Sequence, residues 1–567
     1  MDLEDRIRLA RGEGEVDLLI ENCRLVNVLS GRVHKASVAV AGDTVVGLDG
    51  GYRARETIDL EGRYLAPGLI DVHVHLESSM TTVPQFARAV VPRGTTAVFT
   101  DCHEIANVMG VPGIEYMVES AAGVPLDVFV MLPPCVPATH LETSGADLEA
   151  ADLEPLAGKP WAMGIGEMMN FPGTIARDPG IMAKIRLFPD GPIEGHAPGL
   201  SGEDLCAYIA AGPNSEHECT TAPEAEEKLQ RGMYIYMREG TGARNLLDLL
   251  PVANEANRYR CCFCTDDRGP ADLLERGHID SMLKMATGAG VSPLSAIQMA
   301  TINSARRMGF QLRGAVAVGF RADMIVLDDL EELHVSTVFK DGQIVARDGE
   351  LTVPTGDEPK IGSTFNVEGF SAERLRIHAE GETARVIGVT PGQIVTGSLT
   401  CRLPVEGGNA VADPGADVQK IAVVERHRGT GNVGVAFVRG FGLRTGAIAS
   451  SVAHDSHNVV VVGCTDEDMA AAVEKVVAMG GGQAVAAGGG SVAALALPIG
   501  GLMSPLPVAE IARQVEELNS AAAGLGCALD DPFMAMSFLA LPVIPSLKIT
   551  DEGLVDVEEF KKVRLFV

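Results

Sequence analysis

The chain has 567 residues, with 76 acidic against 46 basic side chains, a formal net charge of −30 and 46% hydrophobic residues. This composition excludes wholesale disorder and supports a large core without disulfides. The negative charge argues against a nucleic-acid backbone or an anionic membrane as partner, because both require basic patches. The eleven cysteines are scattered and odd in number, which points to a reducing cytoplasm rather than a secreted disulfide framework. The N-terminal stretch MDLEDRIRLARGEGEVDLLI mixes charges and lacks the apolar run of a signal peptide.

From about Val16 to Leu65 the chain reads as short strands separated by turn residues. From Gly68 to about Gly309 short apolar runs alternate with helical stretches, the pattern of parallel βαβ units. Eight strand candidates follow in order: GLIDVHVH, TTAVFTD, LDVFVML, AMGIGEM, PIEGHA, NSEHEC, GMYIYMRE and RCCFCTDD. TTVPQFARAVV, GEDLCAYIAAG, ARNLLDLLPVANEA and SPLSAIQMATINSARRM are predicted helices between or after them. Eight such units predict a (β/α)8 TIM-like barrel, whose chemistry lies at the C-terminal ends of the strands.

Strands return between Leu312 and Gly349 and are expected to rejoin the N-terminal ones. A polar stretch at 352–365 reads as a boundary, and a further α/β region follows. The predicted class is therefore α/β. Residues 1–67 and 310–352 form a composite small β-sandwich, 68–309 the barrel, and 360–567 a C-terminal α/β domain. Val476 to Ala509 carries no charge over 34 residues. Its triplets Gly480–Gly482 and Gly488–Gly490 and its prolines 498, 505 and 507 predict buried strands with glycine turns, not a membrane helix.

The strongest chemical signal is Asp71-Val-His73-Val-His75, at the end of the first barrel strand. Side chains alternate along a strand, so His73 and His75 point the same way, and imidazoles so placed suit a transition metal. An isolated His-x-His is weak, but this one has company. Glu167, His196, His217 and Asp266 fall at the ends of strands four, five, six and eight, where barrel topology makes them converge. A buried histidine bonded to backbone, or a helix-capping aspartate, would explain any one of these residues but not the set.

This order of ligands resembles the amidohydrolase superfamily. "APGLIDVHVH" is similar to the usual entry into its barrel and "GFRADMIVLD" to the usual exit. A narrower resemblance, to the adenine deaminase family, rests on DCHEIANVMG, GEMMNFPG, GHAPGLSG, EHECTT, REGTGARNL and FCTDDRGPADLLERGHID. It extends into the C-terminal region through VVERHRGTGN, FGLRTGAIASSVAHDSHNVVVVG and DPFMAMSFLALPVIPSLKITD. It departs from the family pattern at Cys102, where proline is usual, at Gly269, where histidine is usual, and at Glu216, where aspartate is common.

The resemblance implies hydrolytic deamination of adenine at C6 to hypoxanthine and ammonia, in purine salvage, by a metal-activated hydroxide. Amidohydrolases use one or two metals, and the strand-four carboxylate Glu167 points to two; the resemblance implies Mn²⁺ or Fe²⁺, with Zn²⁺ also compatible. His73, His75 and Asp266 would hold one, His196 and His217 the other, and Glu167 would bridge them with its two oxygens. Asp266 is the candidate proton shuttle and Glu104 a second acid/base or purine-binding candidate. His103, Asp267, His454 and His457 are candidates for substrate contact or support, and His427 is a further C-terminal histidine. The expected partner is adenine, with no nucleic acid and no membrane, in a homo-oligomer, as a dimer.

Two other readings stand beside this one. One is a different amidohydrolase reaction, on a cyclic amide or an acetylated amino sugar. The other is a catalytically silent scaffold. The zinc deaminases of nucleic acids pair H-x-E with P-C-x-x-C. His75-Leu-Glu77 and His140-Leu-Glu142 match the first half, but no P-C-x-x-C follows, and Cys261 and Cys264 sit inside an apolar strand as core residues.

Overall fold

A computed structural model describes residues 1–567 apart from 357 and 363, both in the polar stretch 352–365. The barrel strands run Leu69–Val74, Thr95–Asp101, Asp127–Leu132, Ala162–Met168, Ile193–Gly195, Ser215–Glu216, Tyr234–Arg238 and Cys261–Cys264. The first five pair in parallel as one sheet and the last three as another. Hydrogen bonds join the sheets at both seams. Asn214 N–H donates to Ile193 O at 3.1 Å, and Asp266 N–H donates to His73 O at 3.1 Å. All residues of the first two strands are buried, as expected of parallel strands covered on both faces.

Strands five and six are shorter than the sequence pattern predicted. His196 and His217 lie just beyond them, where the chain turns into the barrel mouth. Two predicted helices are also interrupted. ARNLLDLLPVANEA forms one turn, Leu246–Leu249, and then a 3-10 turn at Leu250–Val252, where Pro251 has no N–H to donate. SPLSAIQMATINSARRM divides into Pro293–Met299 and Ile302–Arg307 at Thr301, whose hydroxyl donates back to Ile297 O at 2.6 Å.

Beside the barrel lies one nine-stranded sheet drawn from both flanks. Its junction is Met324–Leu327, antiparallel to Tyr64–Pro67. Apolar residues of both segments, among them Ile20, Leu25, Val38, Met324, Val326 and Phe339, share one core.

The C-terminal region is built on an eight-stranded sheet, antiparallel except between Thr383–Val389 and Val433–Arg439. The helix Asp466–Ala478 packs against it. The uncharged run forms the antiparallel strands Gly482–Ala487 and Gly490–Ala496 and ends at the helix Val508–Gly524. Among the described residues no helix is long and apolar enough to cross a membrane.

This region packs onto the barrel mouth. Asp551 accepts from Thr143 N–H at 2.9 Å and from its hydroxyl at 2.7 Å, and Asn458 donates to Thr143 O at 2.8 Å. The buried loop 451–458 thereby faces the C-terminal ends of the barrel strands.

Candidate active site

Every residue of the expected ligand set meets at the barrel mouth. His73 and His75 leave the first strand on one side of the chain, their Nε2 atoms 3.2 Å apart. Glu167 ends the fourth strand, and Asp101 Oδ2 accepts its N–H at 2.7 Å, which fixes the backbone there. Asp266 follows the eighth strand with φ +54°, a left-handed conformation uncommon for a residue with a Cβ. Its N–H and C=O bond to His73 and His75, so the contact that closes the barrel also aims this carboxylate.

Glu167 divides its oxygens between two imidazole pairs. Oε1 lies 3.1 Å from His73 Nε2 and 2.7 Å from His75 Nε2. Oε2 lies 2.5 Å from His196 Nδ1 and 3.4 Å from His217 Nε2. Asp266 Oδ1 approaches the first pair at 3.4 and 3.1 Å. The rings of His73 and His217 stack at 4.3 Å, which brings the two pairs together.

The hydrogen bonds behind the ligands fit a cation. His73 Nδ1 faces Glu194 Oε2 at 2.8 Å, and His75 Nδ1 faces the Asp101 carbonyl at 2.8 Å. Both Nδ1 atoms therefore donate, and both Nε2 lone pairs converge with Glu167 Oε1 and Asp266 Oδ1 on one point. His217 Nε2 is buried without a hydrogen-bond partner among the described residues.

The carboxylates also attract positive charge to this point, which either a proton or a cation can supply. Burial works against charge on His73 and His75, but the surrounding carboxylates outweigh it and raise both well above the usual imidazole value. Burial would push Glu167 up, yet its histidines hold it well below the carboxylate range. For Asp266, Arg238 and the first imidazole pair likewise outweigh burial. The site draws in positive charge and keeps its carboxylates ionised. Mixed imidazole and carboxylate ligation suits several divalent metals and does not choose between them.

The remaining candidates form an adjoining cluster. Glu104 opens the helix His103–Met109, and both its oxygens are engaged: Oε1 by His454 Nδ1 at 2.6 Å, Oε2 by His457 Nε2. His103 packs against His75 at 4.6 Å between ring centroids and lies 3.5 Å from Asp101 Oδ1. Asp267 accepts from Ser78 Oγ at 2.5 Å, and burial, then Asp266, raise its pKa. His427 is apart from the pocket lining, its Nε2 2.6 Å from Ser456 O. Cys261 and Cys264 lie in different core clusters on opposite faces of their strand, a packing role.

Arg238, Glu218 and Glu194 were not singled out in the sequence. Arg238 bonds Asp266 Oδ2 at 2.9 Å and also Glu218. Glu218 lies 3.4 Å from His217 Nε2 and 3.9 Å from His196 Nδ1. Burial would raise Glu218, but Arg238 holds it well below the carboxylate range. Glu194 orients His73, and Asp455 lines the pocket with its carboxyl pushed up to about 6 by burial. Arg238 and Glu218 each end a strand or follow a ligand, and that position was the available signal.

The three departures have distinct surroundings. Cys102 is a buried N-cap. Gly269 donates its N–H to Thr241 Oγ1 at 2.9 Å, and a Cβ there would meet that oxygen at 3.4 Å. Glu216 supports the ligands, accepting from Glu218 N–H at 2.8 Å, Ala197 N–H at 3.1 Å and Lys228 Nζ at 3.1 Å.

The pocket between these clusters and the C-terminal region is walled by Ile394, Met534, Phe538, Leu541 and Ile544. Residues 64–345 match the amidohydrolase family, and residues 393–561 match the adenine deaminase C-terminal domain. An adenine deaminase of Desulfatibacillum aliphaticivorans is 52% identical, covering 99% of both chains. One from Methanothrix thermoacetophila is 49% identical over the whole of both. Adenine deaminase 2 of Carboxydothermus hydrogenoformans is 47% identical, again covering 99% of each.

Proposed function

The chain belongs to the adenine deaminase family of the amidohydrolases, and from that premise we propose how its barrel mouth hydrolyses adenine to hypoxanthine and ammonia. The observation that carries the reading is the match along the whole chain, including the C-terminal domain that completes the pocket. Hydrolysis of a cyclic amide or deacetylation of an amino sugar would not call for that domain. A silent scaffold would have no need of a complete ligand set.

His73, His75 and Asp266 would hold one divalent cation and His196 and His217 a second, and Glu167 would lend its carboxylate to both. Glu218 adds a carboxylate to the second pair, kept ionised by Arg238. When bound, such cations lower the pKa of water towards about 7, so that a nucleophile exists at neutral pH. Mn²⁺ or Fe²⁺ is the proposed native pair, and Zn²⁺ suits the same donors.

Asp266 is the proton shuttle. Arg238 keeps it ionised and fixes Oδ2, leaving Oδ1 on the cluster side. It takes the proton released as water adds at C6 and passes it to the departing amine. The C6–N6 bond breaks, ammonia leaves and hypoxanthine remains. The apolar wall of Ile394, Met534, Phe538, Leu541 and Ile544 excludes bulk water from the addition.

The proposed setting is purine salvage in the cytoplasm, supported by the free cysteines, and a homodimer, supported by the general prevalence of twofold assemblies. The net charge of −30 supports a small uncharged base over nucleic acid. The proposed domain division, 1–67 with 310–352, 68–309 and 360–567, is supported by the pairing of Tyr64–Pro67 with Met324–Leu327.

Ammonia release from adenine by Mn²⁺-reconstituted protein tests the reading, with hydantoins and acetylated amino sugars as controls. Release from adenine alone is expected. No ammonia from adenine would sink the assignment.

A further inference from the structure

The Glu104 cluster joins the barrel to the C-terminal domain and takes no part in the ligand set above. Glu104, His454 and His457 bring three donor atoms close enough to suggest another cation site. The hydrogen bonds argue against one. His457 Nδ1 accepts the Ala453 N–H at 3.0 Å, so the ring carries its proton on Nε2, the atom that faces Glu104. A protonated nitrogen donates to the carboxylate and has no lone pair for a metal.

His454 is turned the other way. Its Nδ1 lies 2.6 Å from Glu104 Oε1 and donates there, which leaves Nε2 as its free position. Nε2 is buried and has no hydrogen-bond partner among the described residues. His454 lines the same pocket as His75, Glu167 and Asp266, and its ring stacks on Phe538 at 4.6 Å with 17° between planes. A buried polar atom left without a partner is costly unless a ligand supplies one. A flat heteroaromatic base offers both a ring face for this stacked pair and in-plane nitrogen acceptors.

We propose that His454 is a substrate-recognition residue whose Nε2–H donates to one ring nitrogen of the purine, and that Glu104 is the positioning residue that orients it. Burial works against charge on His454, but Glu104 outweighs it and raises the imidazole to about 9. Glu104 thus favours a proton on the outer nitrogen as well as on Nδ1, and N1, N3 and N7 of adenine are all acceptors. The C-terminal domain thus reads the base as well as closing the pocket.

This inference rests on adenine being the substrate, and the test separates the two. Inhibition constants for 1-, 3- and 7-deazaadenine, each lacking one ring acceptor, are measured on Mn²⁺-loaded wild type, His454→Ala, Glu104→Ala and Glu104→Gln. Wild type should bind one analogue roughly tenfold or more weakly than the other two, the effect of losing a hydrogen bond to a charged donor. In His454→Ala that difference should vanish, KM for adenine should rise by a similar factor, and metal content should stay at two per chain. Discrimination should shrink in Glu104→Ala and return in part in Glu104→Gln, an effect that a merely structural carboxylate would not produce.

Equal binding of the three analogues by wild type overturns the inference even where a variant fails to fold. So does discrimination that survives His454→Ala, or a third metal ion lost in that variant. If wild type releases no ammonia from adenine, the substrate assignment itself falls and takes this inference with it. If it does and the analogues bind alike, only the role of His454 falls.

Discussion

Glu167 meets four imidazoles with two oxygens, and no neutral side chain of its shape can do the same. Glu167→Gln keeps the volume but replaces one oxygen with an amide that donates. We expect the variant to stay folded while losing metal and activity by more than the roughly 10–100-fold that follows loss of an outer partner of a metal ligand. Metal analysis beside circular dichroism checks this, and full activity with full metal content would refute the bridging role. Asp266 shows the same economy: one carboxylate, aimed by a left-handed backbone and an arginine, both faces the cluster and stays ionised.

At the scale of elements, the hairpin Gly482–Ala487 to Gly490–Ala496 depends on a glycine. Gly482 has φ +134°, and a Cβ there would lie 1.9 Å from Leu495 O. Gly482→Ala should destabilise the chain by at least ~2 kcal/mol, from backbone strain and the clash together. A denaturation midpoint equal to wild type would count against this packing.

The strand Leu547–Thr550 carries a pH-dependent element. Lys548 is fully buried, donates to Ile394 O at 2.9 Å and Phe538 O at 2.8 Å, and is pushed by burial down to about 7. The unfolded chain keeps this proton to about pH 10.4. Between those values the unfolded state binds more protons, so stability rises with pH; below about 7 both states are protonated and the contribution is constant. Melting temperature of wild type should therefore gain on that of Lys548→Met from pH 7 to 10 and run parallel to it below pH 7. A constant difference throughout would show an unshifted lysine.

For the whole molecule, the proposed cations would tie together strands one, four, five, six and eight, which are distant in sequence. A ligand bound only by the folded state stabilises it, by roughly 4 kcal/mol per site at a thousandfold excess over its dissociation constant. Chelation should therefore abolish activity and lower the melting temperature, and Mn²⁺ should restore both. Unchanged melting after complete metal removal would contradict a cluster that spans the barrel.

Much of the site was legible in the sequence because strand geometry converts spacing into direction. His73 and His75, two residues apart, had to share a face, and ligands at the ends of successive strands had to converge. The ligand set and the C-terminal motifs together identified the family. The roles of Glu218, Arg238 and Glu194 were not legible, because a lone carboxylate or guanidinium has no periodicity and gains meaning from its partner. Arg238 and Asp266 are 28 residues apart, and His454 and Glu104 are 350 apart. The chain alone determined which donors reach the barrel mouth. Only tertiary structure decided which nitrogen of each imidazole is free, because that depends on the acceptor packed behind the ring: Glu194 for His73, the Asp101 carbonyl for His75 and Glu104 for His454.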